Sequence, residues 1–307
     1  MKVFVTGVCG QLGHDVMNEL INRGHNCIGS DVSPGYMGIL DDGAVCNAPY
    51  IALDITDQAM VRRIIDGIGP DAVIHCAAWT DVDAAEKTEN AQKVHAVNVD
   101  GTYNIAAACR DTGCKLMFIS TDYVFDGKGT TPWPPDCDSY HPLNAYGRSK
   151  LEAEKAVMGL MEKYFIVRTA WAFGMNGKNF IKTMLKIGQT HDTLQVVDDQ
   201  VGTPTYTYDL SRLLVDLIET EKYGIYHATN EGGYVSWAGF AREIFRQADM
   251  DVRVVPVTTA EYKSSWALRP FNSRLDKSKL VECGFEPLPD WKDAVRRYLV
   301  ELNIRKK

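Results

Sequence analysis

The feature that most constrains the fold stands at the start of the chain. Lys2-Val-Phe-Val-Thr-Gly7 is a short apolar run stopped by a glycine, and Val8-Cys-Gly10-Gln11-Leu12-Gly13 follows at once. Glycines spaced GxxGxxG, directly after a strand and opening a helix, serve one geometry. Gly7 permits the tight turn, Gly10 lets backbone approach a pyrophosphate, and Gly13 lets the helix pack closely on the sheet. Free N–H groups and the dipole at the new helix start favour negative charge there. Beyond the loop, Leu12, Val16 and Leu20 fall on one face of a helix over 11–22. The opening of the chain therefore reads as a strand-turn-helix unit of the dinucleotide-binding kind.

The same alternation continues. Strands are predicted at 27–29, 50–53, 72–75, 115–119 and 165–168, and helices at 57–66, 84–111 and 144–161. Repeated β-α units of this length point to an α/β fold, a Rossmann-like doubly wound parallel sheet covered on both faces. Ligands of such sheets bind at the carboxyl ends of the strands. Residues 32–49, rich in Gly, Pro and Asp, read as a surface excursion. After Trp171 the pattern loosens, with helices predicted at 180–186, 207–218, 237–246 and 291–302 and strands at 194–197 and 252–257. The expected division is an NAD(P)-binding domain over 1–170 and, over 171–307, mainly a smaller substrate-binding lobe. Crossover strands from that lobe are free to return to the first sheet.

Composition narrows the partners. The net charge of −7 carries no basic footprint, so nucleic acid is not expected as a ligand. The 8 cysteines sit singly with no CxxC pair, and the 7 histidines show no ligand spacing, so no metal is predicted. No apolar stretch reaches the roughly 20 residues that cross a bilayer, and Met1 runs into a strand without a leader. No membrane contact and a cytoplasmic location are the expectations.

Asp31 closes the second predicted strand, where a carboxylate accepts both adenosine ribose hydroxyls and repels a 2′-phosphate. NADH is thus expected to be preferred, with NADPH admissible. Asp54 follows the third strand, suited to the adenine amino group, with Ile55 placed to pack on the ring. Ala77 and Ala78 end the fourth strand with side chains small enough for close approach of a cofactor. At the end of the fifth stands Ser120-Thr121-Asp122, and downstream Tyr146-Gly-Arg-Ser-Lys150 puts a phenol and an amine on one helix face. A free phenol titrates near about 10, and a nearby ammonium would lower that value and fit Tyr146 for proton transfer. Lys150 would also hold the nicotinamide ribose, and Thr121 would polarise a carbonyl. His75, inside an apolar strand, reads as a core histidine. Trp171 ends the next strand, suited either to stacking on a substrate ring or to the core, and Lys178 and Asn179 are candidates for a phosphate.

Taken together, VTGVCGQLG, CAAWTDVDAAE, FISTDYVFDG, YGRSK, VRTAW, VVDDQVGTPT and RPFNSRLDKSKL resemble the dTDP-4-dehydrorhamnose reductases, within the extended short-chain dehydrogenase/reductases. The likeness spans nearly the whole chain. It implies reduction of dTDP-4-dehydro-6-deoxy-L-mannose at C4 to dTDP-L-rhamnose, a nucleotide-sugar substrate. By the same resemblance Gly10, Gln11 and Leu12 form the diphosphate loop, and Asp31, Asp54 and Ile55 contact adenosine. Ala77, Ala78 and Trp79 flank the cofactor, while Thr121, Tyr146 and Lys150 are the catalytic trio. Thr121, Asp122, Tyr146 and Trp171 meet the substrate. Some members join two subunits through Mg²⁺ on glutamates. Here Asp15 and the Tyr208-Asp209 pair stand where glutamates are expected and only Glu301 matches, so no such metal is predicted, and a monomer or weak homodimer is expected. Two other readings stay open: a reductase or epimerase of another nucleotide sugar, and a non-catalytic NAD(P)-binding regulatory subunit resembling that of methionine adenosyltransferase.

Overall fold

Strand β1 (Lys2–Thr6) shows how the sheet is built, because its successive side chains enter opposite apolar layers. Val3 and Val5 join one layer and Phe4 the other. The structure is a computed structural model and describes residues 1–40, 43–262 and 266–304. In chain order, β1 is followed by α1 (Gln11–Asn22), β2 (Asn26–Asp31), β3 (Tyr50–Ala52), α2 (Gln58–Ile68) and β4 (Ala72–His75). Next come α3 (Val82–Ala85), α4 (Ala91–His95), α5 (Gly101–Thr112), β5 (Lys115–Thr121), α6 (Ala145–Leu160) and β6 (Tyr164–Thr169). Then follow β7 (Ala172–Phe173), α7 (Phe180–Gly188), β8 (Thr193–Val197), β9 (Val201–Gly202), β10 (Thr205–Tyr206) and α8 (Thr207–Ile218). The chain continues through β11 (Gly224–His227), β12 (Val235–Ser236), α9 (Trp237–Gln247), β13 (Arg253–Val257), α10 (Ser278–Glu282) and α11 (Trp291–Glu301).

Seven strands make one sheet in the order β11-β6-β5-β4-β1-β2-β3, with every neighbouring pair parallel. Helices α1 and α8 cover one face, where Val16, Leu20, Leu210 and Leu214 pack on Val3, Val5 and Ile74. Helices α2, α5 and α6 cover the other, with Ile65, Ile105 and Val157 against Phe4, Val73 and Leu116. This is the Rossmann-like sheet expected from the alternation. A separate apolar cluster joins α7, α9 and α11 through Phe173, Tyr206, Phe240, Trp291 and Tyr298, and forms the centre of the C-terminal lobe.

Three differences from the sequence reading have physical reasons. The helix predicted over 84–111 is interrupted. It runs as α3, a 3-10 turn, α4, and then a π-helical turn over Ala96–Asp100 that leads into α5. The π turn aims Asn98 inward, where its amide bonds Trp79 and Ser149. Strand β11 was not predicted at all, because four residues ending in a histidine give no period to read. It pairs with β6, so the chain after Trp171 first contributes α7 to the C-terminal cluster, crosses back to the first sheet through α8 and β11, and then returns to the cluster with α9 and α11. Finally, β2, β5 and β6 are longer than predicted, since their polar ends Asp31, Thr121 and Thr169 still pair in the ladder or sit in extended backbone.

Candidate active site

The loop after β1 has the geometry its glycines suggest. Gly7 has φ +74°, and a side chain there would meet the Ala77 nitrogen at 2.5 Å. Gly13 lies so close beneath that an added Cβ would sit 2.2 Å from the Gly7 carbonyl oxygen. Gly10 is exposed and caps α1 without any side-chain cap, which leaves the first N–H groups of the helix turned outward. Asp31 stands beside this loop, with Oδ2 accepting the Cys9 N–H at 3.0 Å and Oδ1 the Val32 N–H at 2.8 Å. Ala77 and Ala78 follow β4 at the same rim, half-buried, and Thr6 Oγ1 accepts the Ala77 N–H at 3.3 Å. A close backbone cradle, an uncapped helix start and a carboxylate at the next strand end fit the diphosphate and adenosine ribose of a dinucleotide.

Other predicted residues are placed differently. Gln11 contributes backbone to the loop, but its side chain turns away. Its Oε1 accepts from Gly174 N at 2.8 Å and Asn179 Nδ2 at 3.0 Å. Asn179 also caps α7 and reaches Tyr298, so its side chain is wholly engaged in packing. Leu12 packs against the layer under α1. Ile55 points into the core against Gly101 and is only 6% exposed. Asp54, at the strand end, accepts the N–H and hydroxyl of Thr56 at 2.9 and 2.8 Å. Trp79 is half-buried and its backbone is gripped by Asn98, at 2.7 Å from N to Oδ1 and 3.1 Å from Nδ2 to O. His75 is a core residue, bridging Thr6 and Thr102 at 2.7 and 3.2 Å, and burial lowers its pKa to about 3.

The second half of the site lies at the carboxyl ends of β5 and β6 and on the first turns of α6. Asn144 caps that helix by accepting the Gly147 N–H at 2.8 Å, and Tyr146 and Lys150 follow one turn apart. Thr121 Oγ1 donates to Asp122 Oδ1 at 3.0 Å and also reaches the Tyr146 phenol. Tyr123 meets Tyr146 edge-to-face, with ring centroids 5.9 Å apart. Lys150 is buried, its Nζ 4.0 Å above the Phe118 ring. One turn further, Glu154 pairs with Arg168 in a fully buried bidentate contact of 2.9 and 2.7 Å. Asn98 Nδ2 donates to Ser149 Oγ at 2.9 Å, and that hydroxyl donates to Tyr146 O at 2.7 Å.

Electrostatics correct one expectation. The Tyr146 phenol is raised, first by burial and then by the Asp122 charge, with only the Thr121 hydroxyl opposing. Lys150 is not among the groups that shift it, and burial holds that amine down to about 7 against the pull of Glu154 and Cys76. The phenol therefore keeps its proton, as a donor must. Burial likewise pushes Asp122 up to about 7, offset by Ser273 and Thr121.

Trp171 has φ +51° and stacks on Trp237 with centroids 3.7 Å apart, while Gly202 lies against its ring. The indole is thus embedded in the aromatic cluster of the C-terminal lobe, with partial exposure at the rim. Asn98, Ser149 and Thr169 were not singled out in the sequence. Thr169 pairs with Thr121 in the ladder and keeps a buried hydroxyl with no partner among the described residues. Away from this site, Asp15, Tyr208 and Glu301 line a cavity of about 320 Å³ between α1 and α8. Asp209 instead pairs with Arg297 and Asn230. Among the described residues no helix is long and apolar enough to cross a membrane.

Comparison with known proteins places these features in a lineage. A family model described as RmlD substrate binding domain matches residues 1–304. The dTDP-4-dehydrorhamnose reductase of Aggregatibacter actinomycetemcomitans is 38% identical over 308 aligned residues, covering 96% of this chain and 97% of that one. The crystal structure of a dTDP-4-dehydrorhamnose reductase from Clostridium acetobutylicum superposes with a TM-score of 0.88 at 40% identity, covering 99% of this chain and 100% of that one. The Bacillus anthracis dTDP-4-dehydrorhamnose reductase, solved in complex with NADP, gives 0.86 at 37% identity, covering 98% and 99%. Matched by that family model over nearly its whole length and by relatives close to 40% identical, this chain belongs to the dTDP-4-dehydrorhamnose reductase family.

Proposed function

We propose that this protein reduces the C4 carbonyl of dTDP-4-dehydro-6-deoxy-L-mannose to give dTDP-L-rhamnose, with Tyr146 as the proton donor. The observation that supports the reading most is that Thr121, at the carboxyl end of β5, reaches the Tyr146 phenol, with Lys150 one turn further along α6 and the glycine loop at the carboxyl end of β1 in the same parallel sheet. The nicotinamide, when bound, supplies the hydride to C4. The chain's own groups do the rest. The Thr121 hydroxyl, whose one proton rests on Asp122 before substrate binds, turns that proton to the carbonyl oxygen and strengthens its hold as negative charge develops there. Tyr146, kept protonated by its surroundings, passes its proton to that oxygen, which becomes far more basic than a phenolate once reduced. Lys150 binds the ribose hydroxyls of the nicotinamide half, and the Asn98–Ser149 bridge holds the backbone of Tyr146 at the start of α6.

On the cofactor side, Gly7, Gly10, Gln11, Leu12 and Gly13 supply the diphosphate cradle, Gln11 and Leu12 through backbone N–H groups. Asp31, Asp54 and the Ile55 backbone edge the adenosine pocket, and Ala77, Ala78 and Trp79 form the opposite wall. The Asp31 carboxylate accepts ribose hydroxyls and repels a 2′-phosphate, so NADH is preferred and NADPH used less well. Asp122 and the exposed rim of Trp171 face the sugar. Residues 1–170 hold the cofactor and the catalytic groups, 171–307 supply mainly the substrate side, and the protein works as a monomer or weak homodimer in the cytoplasm. Incubation with NADH and enzymatically prepared dTDP-4-dehydro-L-rhamnose should yield dTDP-L-rhamnose by mass and chromatography. A protein that binds NADH yet leaves this ketone unchanged would defeat the assignment.

A further inference from the structure

The segment after β2 turns back over the diphosphate loop, and one buried side chain from beyond β7 ties the two together. Asn176, 3% exposed, accepts the Ile39 N–H at 2.6 Å through Oδ1. Its Nδ2 donates to Gly10 O at 3.4 Å and to the Tyr36 hydroxyl at 3.3 Å. A donor on one side and a carbonyl on the other fix the orientation of this amide without ambiguity. Three segments distant in sequence therefore meet on one polar side chain, and every hydrogen-bonding atom of it is used.

The strap formed by residues 32–40 has further anchors. Val45 N–H donates to Asn18 Oδ1 at 2.8 Å, so the Asn18 amide faces His14 Nε2 at 3.1 Å as a donor. The ring proton of His14 then sits on Nδ1 and is given to the Tyr36 hydroxyl at 2.5 Å. Met37 N–H donates to Cys9 Sγ at 3.2 Å, inside the glycine loop itself. Gly38 passes so near that an added Cβ would lie 2.5 Å from Asn176 Nδ2.

We infer that Asn176 is a positioning residue for the dinucleotide: it locks Gly10 to the strap of residues 32–40, which forms the outer wall of the cofactor groove. The inference rests on the proposed role of residues 7–13 as the cofactor loop. Gly10 is the cap of α1, so fixing its carbonyl fixes the direction of the N–H groups offered to the diphosphate. Freed from Asn176, the strap can lift and the loop can turn, and the dinucleotide leaves sooner. Tyr146 and Lys150 lie on α6 and do not touch this lock, so turnover at saturating NADH is preserved.

The test is NADH binding by fluorescence titration and stopped-flow release on the full chain, with amide exchange of residues 36–39 in cofactor-free protein. Asn176→Ala should weaken NADH about tenfold, equivalent to about 1.4 kcal/mol. It should speed exchange across the strap and leave kcat and the KM for the sugar within about twofold. Asn176→Asp, which keeps the acceptor for Ile39 but turns a carboxylate oxygen on the Gly10 carbonyl and adds negative charge beside the loop, should weaken NADH at least as much as Asn176→Ala. Gly38→Ala, which disturbs the lock while leaving Asn176 in place, should act in the same direction and decides the matter if Asn176→Ala does not fold. Wild-type affinity for NADH in folded Asn176→Ala and Gly38→Ala would overturn the inference, as would a fall in kcat with NADH affinity unchanged. Failure of the wild-type protein itself to bind NADH would remove the cofactor reading beneath it.

Discussion

Arg168 offers the sharpest test of how the catalytic helix is held. Its guanidinium and the Glu154 carboxylate are both 0% exposed and bonded through both oxygens. The same guanidinium donates to Tyr140 OH at 2.8 Å and Pro135 O at 3.3 Å. Glu154 lies one turn beyond Lys150 on α6, so the pair joins that helix to β6. Arg168→Met leaves a buried carboxylate with no paired cation and three acceptors (Tyr140 OH, Pro135 O and His227 Nε2, the last at 3.3 Å) without this donor, a change that costs about 3–5 kcal/mol. Total stabilities are about 5–15 kcal/mol, so the loss is a large fraction. At about 2–4 °C per kcal/mol for a chain of this size or slightly smaller, the thermal midpoint should fall by roughly 10 °C. Removing both charges, with Arg168→Met and Glu154→Leu together, takes away the uncompensated ion and should recover most of the loss. Calorimetry or urea melts of the two single variants and the double variant read this directly. A drop below about 1 kcal/mol for Arg168→Met, or a double variant as weak as the single, would refute the reasoning.

Two further outcomes follow from packing and charge. Gly13→Ala puts a methyl 2.2 Å from the Gly7 carbonyl, so it should destabilise by about 1–3 kcal/mol and abolish measurable NADH binding; near-normal binding would contradict the close-packed loop. Stability should also depend on pH through two buried groups. Asp122, pushed up to about 7 by burial, holds a proton in the folded state that the unfolded chain has lost, so its contribution is lost as pH rises through that window. Lys150, held down to about 7 by burial, is neutral when folded and charged when unfolded from there to its ordinary range, so stability rises with pH on that side. The cofactor-free protein should then melt lowest near neutral pH, with Asp122→Asn flattening the acid limb and Lys150→Met the alkaline limb. Limbs unchanged by both substitutions would show that these groups are not buried as described.

The sheet was legible in the sequence because parallel strands buried on both faces read as unbroken apolar runs, as in Ala72–His75. Helix α8 was legible to the residue, because its apolar stripe faces α1 across a well-defined layer. Strand β11 was not, since Gly-Ile-Tyr-His owes its place to pairing with β6 rather than to any local pattern. The π turn at Asn98 was hidden for the same reason: a helix that widens to aim one amide keeps an ordinary helical composition. In the site, the glycines and the Tyr146–Lys150 spacing stood out because the chemistry demands those residue types at those intervals. The state of the phenol did not. It depends first on how deeply Tyr146 itself is buried and then on the Asp122 charge, and burial is a property of the folded groove rather than of spacing. Trp171 and Gln11 were found at the right strand and loop, but tertiary contacts with Trp237 and Gly174 decide where their side chains point.

The most direct test of the central claim follows the two hydrogens separately, with NADH deuterated at the transferring position, dTDP-4-dehydro-L-rhamnose, and either wild-type protein or Tyr146→Phe. Wild type should place the deuterium at C4 of dTDP-L-rhamnose. Tyr146→Phe should bind NADH normally and transfer the label about 10²–10⁴ times more slowly. Label at any other carbon, or transfer undiminished in Tyr146→Phe, would contradict the account.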